Sequence, residues 1–156
     1  MTQTAVALST DARTQIVEAL NQCVAETAVT TMLAQNFHWN VKGMAFGPLH
    51  DLFQKIYEDH FIAQDDLAER VKALDGHAEG TLAGMLKRSK VSENEGHGTD
   101  KEMIKLMQDA QETLSLTLAG AGELAASHGD TLTEDLCIAR GQEHEKFAWF
   151  LRSHLA

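Results

Sequence analysis

Apolar side chains recur every three or four residues along most of this chain, which is the spacing of helices that bury one face. Strict alternation of apolar and polar residues, the mark of a half-buried strand, persists nowhere in the sequence. The pattern therefore predicts an all-α protein.

Capping and stop residues divide this pattern into separate helices. The first helix is expected to begin near Ser9 or Thr10, either of which can cap it, and to run to about Phe37. The second should begin at the Gly-Pro pair 47–48, because proline suits the first helical position, and should stop at the Asp-Gly pair 75–76.

Two further long helices begin at capping-box sequences, Thr99 with Glu102 and Thr131 with Glu134. The connection over residues 76–98 is rich in Gly and Ser and contains one short helical candidate, TLAGMLKRS. Four long helices with one long crossover predict a ferritin-like four-helix bundle, formed by residues 1–156 as a single domain.

The same spacing predicts which side chains face the core. They are Ile16, Leu20, Val24, Ala28 and Met32 in the first helix; Leu49, Phe53, Ile56, His60, Ala63, Leu67, Val71 and Leu74 in the second; Met103, Met107, Ala110, Leu114, Thr117, Ala121 and Leu124 in the third; and Leu132, Leu136, Ala139, Phe147, Phe150 and Leu151 in the last.

Composition limits the possible functions. A net charge of -10 disfavours a nucleic-acid partner, since phosphate backbones would be repelled. The start of the chain, MTQTAVALSTDAR, has no basic targeting segment, and no stretch approaches the ~20 apolar residues of a membrane span, so we expect a soluble, cytoplasmic protein. Cys23 and Cys137 have no metal-like spacing and are expected to be small buried residues.

Two histidines and two carboxylates form the candidate metal ligands. His38 and His50 bracket the connector between the first two helices, and Asp65 and Glu69 share one face of the second helix. No Glu or Asp is followed by a histidine three residues later, which argues against the Glu-x-x-His di-iron site of other four-helix bundles.

These ligands cannot meet within one chain. His50 and Asp65 are 15 residues apart on one helix, which separates them by about 22 Å. A two-fold axis near Tyr57 and Glu58 would place His50 of one chain beside Asp65 and Glu69 of another. The spacing thus predicts two equivalent sites per dimer, about 20 Å apart, with His38 joining His50 if the connector folds back tightly.

The run NFHWNVKG, His50 twelve residues after His38, the run DDLAER and the ending KFAWFLRSHL together resemble the Dps family of ferritin-like mini-ferritins. The resemblance implies a hollow dodecamer built from two-fold dimers, with iron oxidised at inter-subunit ferroxidase centres. His38 and His50 of one subunit and Asp65 and Glu69 of its partner would bind the iron. The implied function is iron storage and detoxification, with Fe(II) oxidised by hydrogen peroxide and stored as ferric mineral, which protects against oxidative damage.

The resemblance also assigns roles outside the ligand set. Trp39 would lie beside the iron and donate electrons, or serve only as an apolar anchor. Asp130, Glu134 and Asp135 would line acidic pores that admit ferrous ions, although a helix start also favours acidic residues. The family usually has an aspartate where this chain has Gln54, which puts the second iron of each centre in doubt; Glu58 is a candidate to compensate.

Some alternatives remain open. The same ligands would suit a structural zinc clamp, or a mononuclear non-haem iron oxygenase if a substrate pocket lay beside the metal. DNA binding depends in some family members on a basic terminal tail; here the first basic residue is Arg13, and we expect weak or no DNA affinity. His60 is expected to be a hydrogen-bonded core residue, and His144 is assigned no role.

Overall fold

The computed structural model describes residues 7–156, which are helical with short connections and include no strand. The N-terminal residues 1–6, part of the segment with no targeting pattern, lie outside the described range. The helices are α1 (Thr10–Asn40), α2 (Phe46–Ala73), α3 (Leu82–Arg88), α4 (Asp100–Ser127) and α5 (Thr131–Ser153). The all-α prediction is confirmed, and α3 is the short helix expected in the crossover.

Side-chain caps account for several helix starts. The Ser9 hydroxyl accepts a hydrogen bond from the backbone N–H of Ala12 at 3.1 Å and begins α1. The predicted capping box of Thr99 and Glu102 is present at the start of α4, with both hydrogen bonds formed. These bonds satisfy backbone N–H groups that have no partner inside the helix.

Two predicted helix starts need correction. The second helix begins at Phe46 and not at the Gly-Pro pair, so Pro48 is its third residue, where a missing N–H is equally harmless. The Thr131–Glu134 capping box predicted for the last helix is wrong. Asp130 caps α5 instead, because its carboxylate accepts from the backbone N–H of Thr133 at 3.2 Å.

The bundle consists of two helical hairpins joined by the crossover. Helix α1 packs along α2, and α4 packs along α5; α1 also contacts α4, and α3 lies against α1. The buried apolar side chains form two clusters, one around Phe37, Phe53 and Phe147 and the other around Leu20, Leu67 and Leu118. No helix in the described part of the chain combines the length and apolar character that crossing a bilayer requires.

Helix α2 has the core face that its sequence predicts, since all of the positions predicted for it are buried. Helix α5 does not. Leu132 is 57% exposed and Ala139 is also exposed, while the inward face of α5 contains Arg140 and His144. The prediction failed because polar side chains occupy part of the buried face, so apolar spacing pointed to the wrong side.

Smaller differences concern single residues. Met32 is 50% exposed on α1, so its prediction as a core residue is wrong. Ala28, Thr117, Leu124, Leu136 and Phe150 are only partly buried. Cys23 and Cys137 are buried free thiols, as expected, and burial raises the pKa of Cys137 to about 11.

Candidate metal centre

A tight connector brings the ends of α1 and α2 together. Residues 41–45 reverse the chain, with Val41 buried and its N–H bonded to the carbonyl of Phe37 at 2.9 Å. Gly43 has φ of 111°, a backbone conformation that residues with a Cβ rarely adopt. The reversal therefore places His38, in the last turn of α1, against His50, in the first turns of α2.

The two imidazoles hold each other in one orientation. Their rings stack with centroids 3.7 Å apart and planes inclined by 20°. His38 Nδ1 donates to the backbone carbonyl of His50 at 2.8 Å, and His50 Nδ1 donates to the carbonyl of His38, also at 2.8 Å. A carbonyl can only accept, so each neutral ring has its hydrogen on Nδ1 and a lone pair on Nε2. This is the arrangement of metal-binding histidines, whose second nitrogen is commonly tied to a backbone carbonyl.

Two aromatic side chains contact the histidine pair. Phe46 stacks on His50 at a centroid distance of 5.1 Å, and the edge of Tyr57 meets His38 at 5.3 Å. Sequence reasoning did not assign either contact. The signal was present, because Phe46 lies four residues before His50 and Tyr57 seven after it, on the same helical face. Trp39, by contrast, is 61% exposed.

The carboxylates lie far from the histidines. Asp65 and Glu69 are both exposed and lie one turn apart on α2. Because α2 is continuous from Phe46 to Ala73, His50 and Asp65 stay about 22 Å apart. Within residues 7–156, no three histidine, cysteine, aspartate or glutamate side chains come close enough together to hold a metal ion.

Gln54 and Glu58 follow His50 along α2. The Gln54 amide donates to the Glu58 carboxylate at 2.8 Å, so the two side chains are joined at the surface of the helix. The glutamine thus occupies the position one turn after His50 with a neutral group, and the nearest carboxylate on this face is already its hydrogen-bond partner.

An apolar surface lies between the histidine end and the carboxylate end of α2. Phe61 and Ile62 are 70% and 64% exposed, one turn from the midpoint at Tyr57 and Glu58. Large exposed apolar side chains on one helix face indicate a surface that packs against another molecule. This surface lies where a two-fold axis would relate His50 to Asp65.

The three acidic residues at the start of α5 have different environments. Asp130 is buried and forms an ion pair with Arg70 at 2.8 Å, in addition to capping α5. Glu134 is half-buried and lines a groove between α4 and α5, and Asp135 is exposed. Asp130 therefore has an internal structural partner, whereas Glu134 and Asp135 have accessible carboxylates.

Two other histidines lie inside the bundle. His60 is fully buried and hydrogen bonded, as expected of a core histidine. His144 is also fully buried, and sequence reasoning missed it because its neighbours Glu143 and Glu145 suggested a polar surface patch. A period of 3.6 from Arg140 through His144 to Phe147 is the signal that would have found it.

Comparison with known proteins defines the class of this molecule. A family model for the ferritin-like domain matches residues 17–156. General stress protein 20U of Bacillus subtilis is 34% identical over 141 residues, which cover 90% of this chain and 97% of that protein. DNA protection during starvation protein 2 of Bacillus anthracis is 33% identical, with the same coverage. The fold and these matches define a ferritin-like protein.

Solved structures narrow the assignment. The crystal structure of DPS protein from Vibrio cholerae O1, described as a member of a broad superfamily of ferritin-like diiron-carboxylate proteins, superposes with a TM-score of 0.93 at 29% identity, covering 100% of this chain and 98% of that one. Dps from Staphylococcus aureus gives a TM-score of 0.89 at 33% identity, covering 96% and 99%. The chain belongs to the Dps family.

Proposed function

We propose that this protein is a ferroxidase that stores and detoxifies iron, binding Fe(II) as its substrate at centres shared between two chains. One observation carries the proposal: the reciprocal hydrogen bonds of His38 and His50 leave both Nε2 lone pairs free at one end of α2. Neutral imidazoles suit a borderline cation such as Fe(II). The similarity to ferritin-like diiron-carboxylate proteins supports iron as that cation.

The second half of each centre would come from a partner chain. An antiparallel pairing of two α2 helices about Tyr57 and Glu58 brings Asp65 and Glu69 of one chain to His50 of the other. The exposed Phe61 and Ile62 support this pairing, because it would bury them. Such dimers would assemble further into a hollow shell, for which we propose the dodecamer that the family resemblance implies.

The ligands divide the chemistry between them. The imidazoles hold Fe(II) with moderate affinity, and the carboxylates favour the more highly charged Fe(III) product. We propose hydrogen peroxide as oxidant: two ferrous ions supply its two electrons, and with two protons it gives two waters and two ferric ions. Where only one ferrous ion is bound at a centre, we propose that Trp39 supplies the second electron. Ferric ions leave for a mineral core in the cavity.

Entry of iron and protection of the cell complete the proposal. Glu134 and Asp135, with Asp130 behind them, would line a pore that attracts cations. Several relatives are named DNA protection during starvation proteins. For this chain we propose protection by removal of iron and peroxide, with weak or no direct DNA binding, because its net charge is -10.

The experiment is anaerobic loading with Fe(II) followed by hydrogen peroxide, with ferric absorbance as the readout. We expect His50→Ala and Asp65→Ala each to lower the initial rate by about tenfold or more, since even outer-shell partners of a metal ligand are worth 10- to 100-fold. Asp66→Ala is the matched control, because Asp66 is an exposed carboxylate next to Asp65 that faces another direction.

The same measurement distinguishes a ferroxidase from the rival function, a structural zinc site. A structural zinc clamp would bind Zn²⁺ with the same four side chains but would show no growth of ferric absorbance. Unchanged oxidation in both ligand variants would mean that the iron is oxidised elsewhere in the protein.

A further inference from the structure

A band of buried polar side chains divides the core of the bundle. Neither apolar cluster includes any residue of 58–66 on α2, 111–117 on α4 or 138–146 on α5. This gap contains the buried Ala63 and Leu114 together with five polar residues that are joined by hydrogen bonds; four of the five are buried and Asp59 is partly exposed. We call these five residues the polar layer: Asp59, His60, Gln111, Arg140 and His144.

The hydrogen bonds of the polar layer form one directed chain. Arg140 donates from Nη2 and Nη1 to the Asp59 carboxylate at 2.6 and 3.2 Å. His60 Nδ1 donates to the same carboxylate at 3.0 Å, so the lone pair of a neutral His60 is on Nε2. That lone pair accepts from Gln111 Nε2 at 3.0 Å, and Gln111 Oε1 lies 3.1 Å from the same nitrogen. Gln111 Oε1 in turn accepts from His144 Nδ1 at 2.7 Å.

This series of hydrogen bonds ends at an atom without a partner. With its hydrogen on Nδ1, His144 has its lone pair on Nε2, which is buried and has no hydrogen-bond partner among the described residues. The hydrogen bonds from Gln111 to His60 and from His144 to Gln111 both form when the two imidazoles are neutral. A proton on His144 Nε2 would find no acceptor among the described residues.

An added proton would disrupt this arrangement at either ring. On His60 Nε2 it would displace the hydrogen bond from Gln111 Nε2, leave Gln111 Oε1 at 3.1 Å as the acceptor, and add a fully buried positive charge near Arg140. On His144 Nε2 it would create a buried charge with no acceptor, with the His60 ring only 4.7 Å away. Such buried, unpaired charges are strongly disfavoured. Burial lowers the pKa of His60 and of His144; for His144 the neighbouring His60 and Arg140 lower it further.

The surrounding helices offer little to compensate a new positive charge. On α2, hydrogen bonds from His60 and Arg140 outweigh the effect of burial and hold the pKa of Asp59 well below its usual range, so this carboxylate is already neutralised by Arg140 on α5. Helix α4 contributes the uncharged Gln111. On α1, Thr27 and Thr30 are uncharged, and the buried carboxylate of Glu26 accepts from Gln22 and from the backbone N–H of Lys90 in the crossover.

The polar layer also joins the two halves of the bundle. Asp59 and His60 belong to the α1–α2 hairpin, and Gln111, Arg140 and His144 belong to the α4–α5 hairpin. We propose that the polar layer is an acid-sensitive connection between the two hairpins. Its hydrogen bonds hold the hairpins together while His60 and His144 are both neutral, and a proton on either ring disrupts them.

The sign of the pH effect follows from the lowered pKa values. In the unfolded chain a histidine titrates near 6.5, whereas in the folded bundle both resist protonation until lower pH. Their stabilising effect is complete above about pH 6.5 and is lost as pH falls towards the folded pKa values. Over that interval, each histidine raises the unfolding equilibrium constant about tenfold for every unit by which the pH falls. Both histidines together raise it up to about a hundredfold per pH unit.

The experiment is urea unfolding of the full-length protein between pH 8 and 5, at one fixed protein concentration because the proposed association of subunits would make stability depend on concentration. The wild type is compared with the double variant His60→Gln, His144→Gln. We expect the double variant to lose most of the steep pH dependence below pH 6.5. His97→Gln is the control, since His97 is exposed on the surface, and it should behave as wild type. An equal pH slope in the double variant would overturn the proposal.

A second measurement uses the wild type alone, in case the double variant does not fold. Hydrogen exchange of backbone amides, corrected for intrinsic rates, is compared at pH 7.5 and 5.5. We expect protection to fall first in the segments around Asp59 on α2 and Arg140 to His144 on α5. Uniform amide protection across the bundle at both pH values, or loss of protection that begins at the helix ends, would contradict an acid-sensitive connection inside the bundle.

Discussion

The two ends of α2 differ in how completely one chain builds them. At the first end, His50 is fixed by hydrogen bonds to and from His38 and by contact with Phe46. At the other end, Asp65 and Glu69 are exposed side chains about 22 Å away along the same helix. The histidine half is organised by contacts within its own chain, while the carboxylate half is not.

This difference is the reason why the proposed centre needs a second chain. A rigid helix cannot bend to bring its ends together, so a ligand set split between them is useful only across an interface. The exposed Phe61 and Ile62 lie between the two ends and would supply apolar area for the proposed interface. Binding of iron and pairing of subunits are therefore expected to depend on each other.

The largest effect should come from breaking the pairing surface. We expect Ile62→Arg to lower peroxide-driven iron oxidation by about tenfold or more, because each chain would then bury an unpaired positive charge in the apolar interface, at a cost of several kcal/mol. Size-exclusion chromatography should show loss of the assembled form, and circular dichroism should show the helices retained.

Leu155→Arg is the control for this change, since Leu155 follows the end of α5 and lies outside the surface formed by α2. It should leave both the oxidation rate and the assembly unchanged. If the Ile62 variant were monomeric and still oxidised iron at the wild-type rate, the dependence on a partner chain would be disproved.

A smaller effect should follow from changing the histidine end itself. Gln54→Asp would add a carboxylate one turn after His50, and we expect it to tighten binding of a second Fe(II) at each centre by about tenfold. The measurement is anaerobic titration of Fe(II) per subunit. The introduced carboxylate would also face Glu58 across one helical turn, which should destabilise α2 by about 0.2–0.5 kcal/mol.

Gln142→Asp is the matched control, because Gln142 is an exposed glutamine on α5. It should not change the number of bound ions. Equal iron stoichiometry in the wild type and the Gln54 variant would mean that this position does not limit the second iron.

How far sequence reasoning succeeded depended on which side chains fill the buried face of each helix. Helix α2 buries apolar residues at regular spacing apart from His60, so every position predicted for its core is buried, although buried Leu52 was missed. Helix α5 places Arg140 and His144 inside, because Arg140 forms an ion pair with Asp59 there and His144 Nδ1 donates a hydrogen bond to Gln111. Those partners lie 33 to 81 residues away in sequence, and no local pattern reveals them.

The candidate site likewise could be predicted only in part, because some of its contacts leave no local sequence pattern. Its residue types and the separation of His50 from Asp65 could be read from the sequence, because helical rise is constant. The exchange of hydrogen bonds between His38 and His50 could not, since it depends on the path of residues 41–45 and on backbone carbonyls that every residue has.

The most direct test of a shared centre is subunit mixing. His50→Ala and Asp65→Ala chains are each expected to be inactive alone, because every centre in either assembly lacks one ligand. In a mixed pair, one of the two centres takes its histidines from the Asp65→Ala chain and its carboxylates from the His50→Ala chain, and is complete. Random co-assembly of the two variants should therefore restore about a quarter of the wild-type rate of ferric absorbance growth. If mixing restored no activity while each variant assembled normally, the ligands would have to come from one chain, which contradicts a centre shared across the two-fold interface.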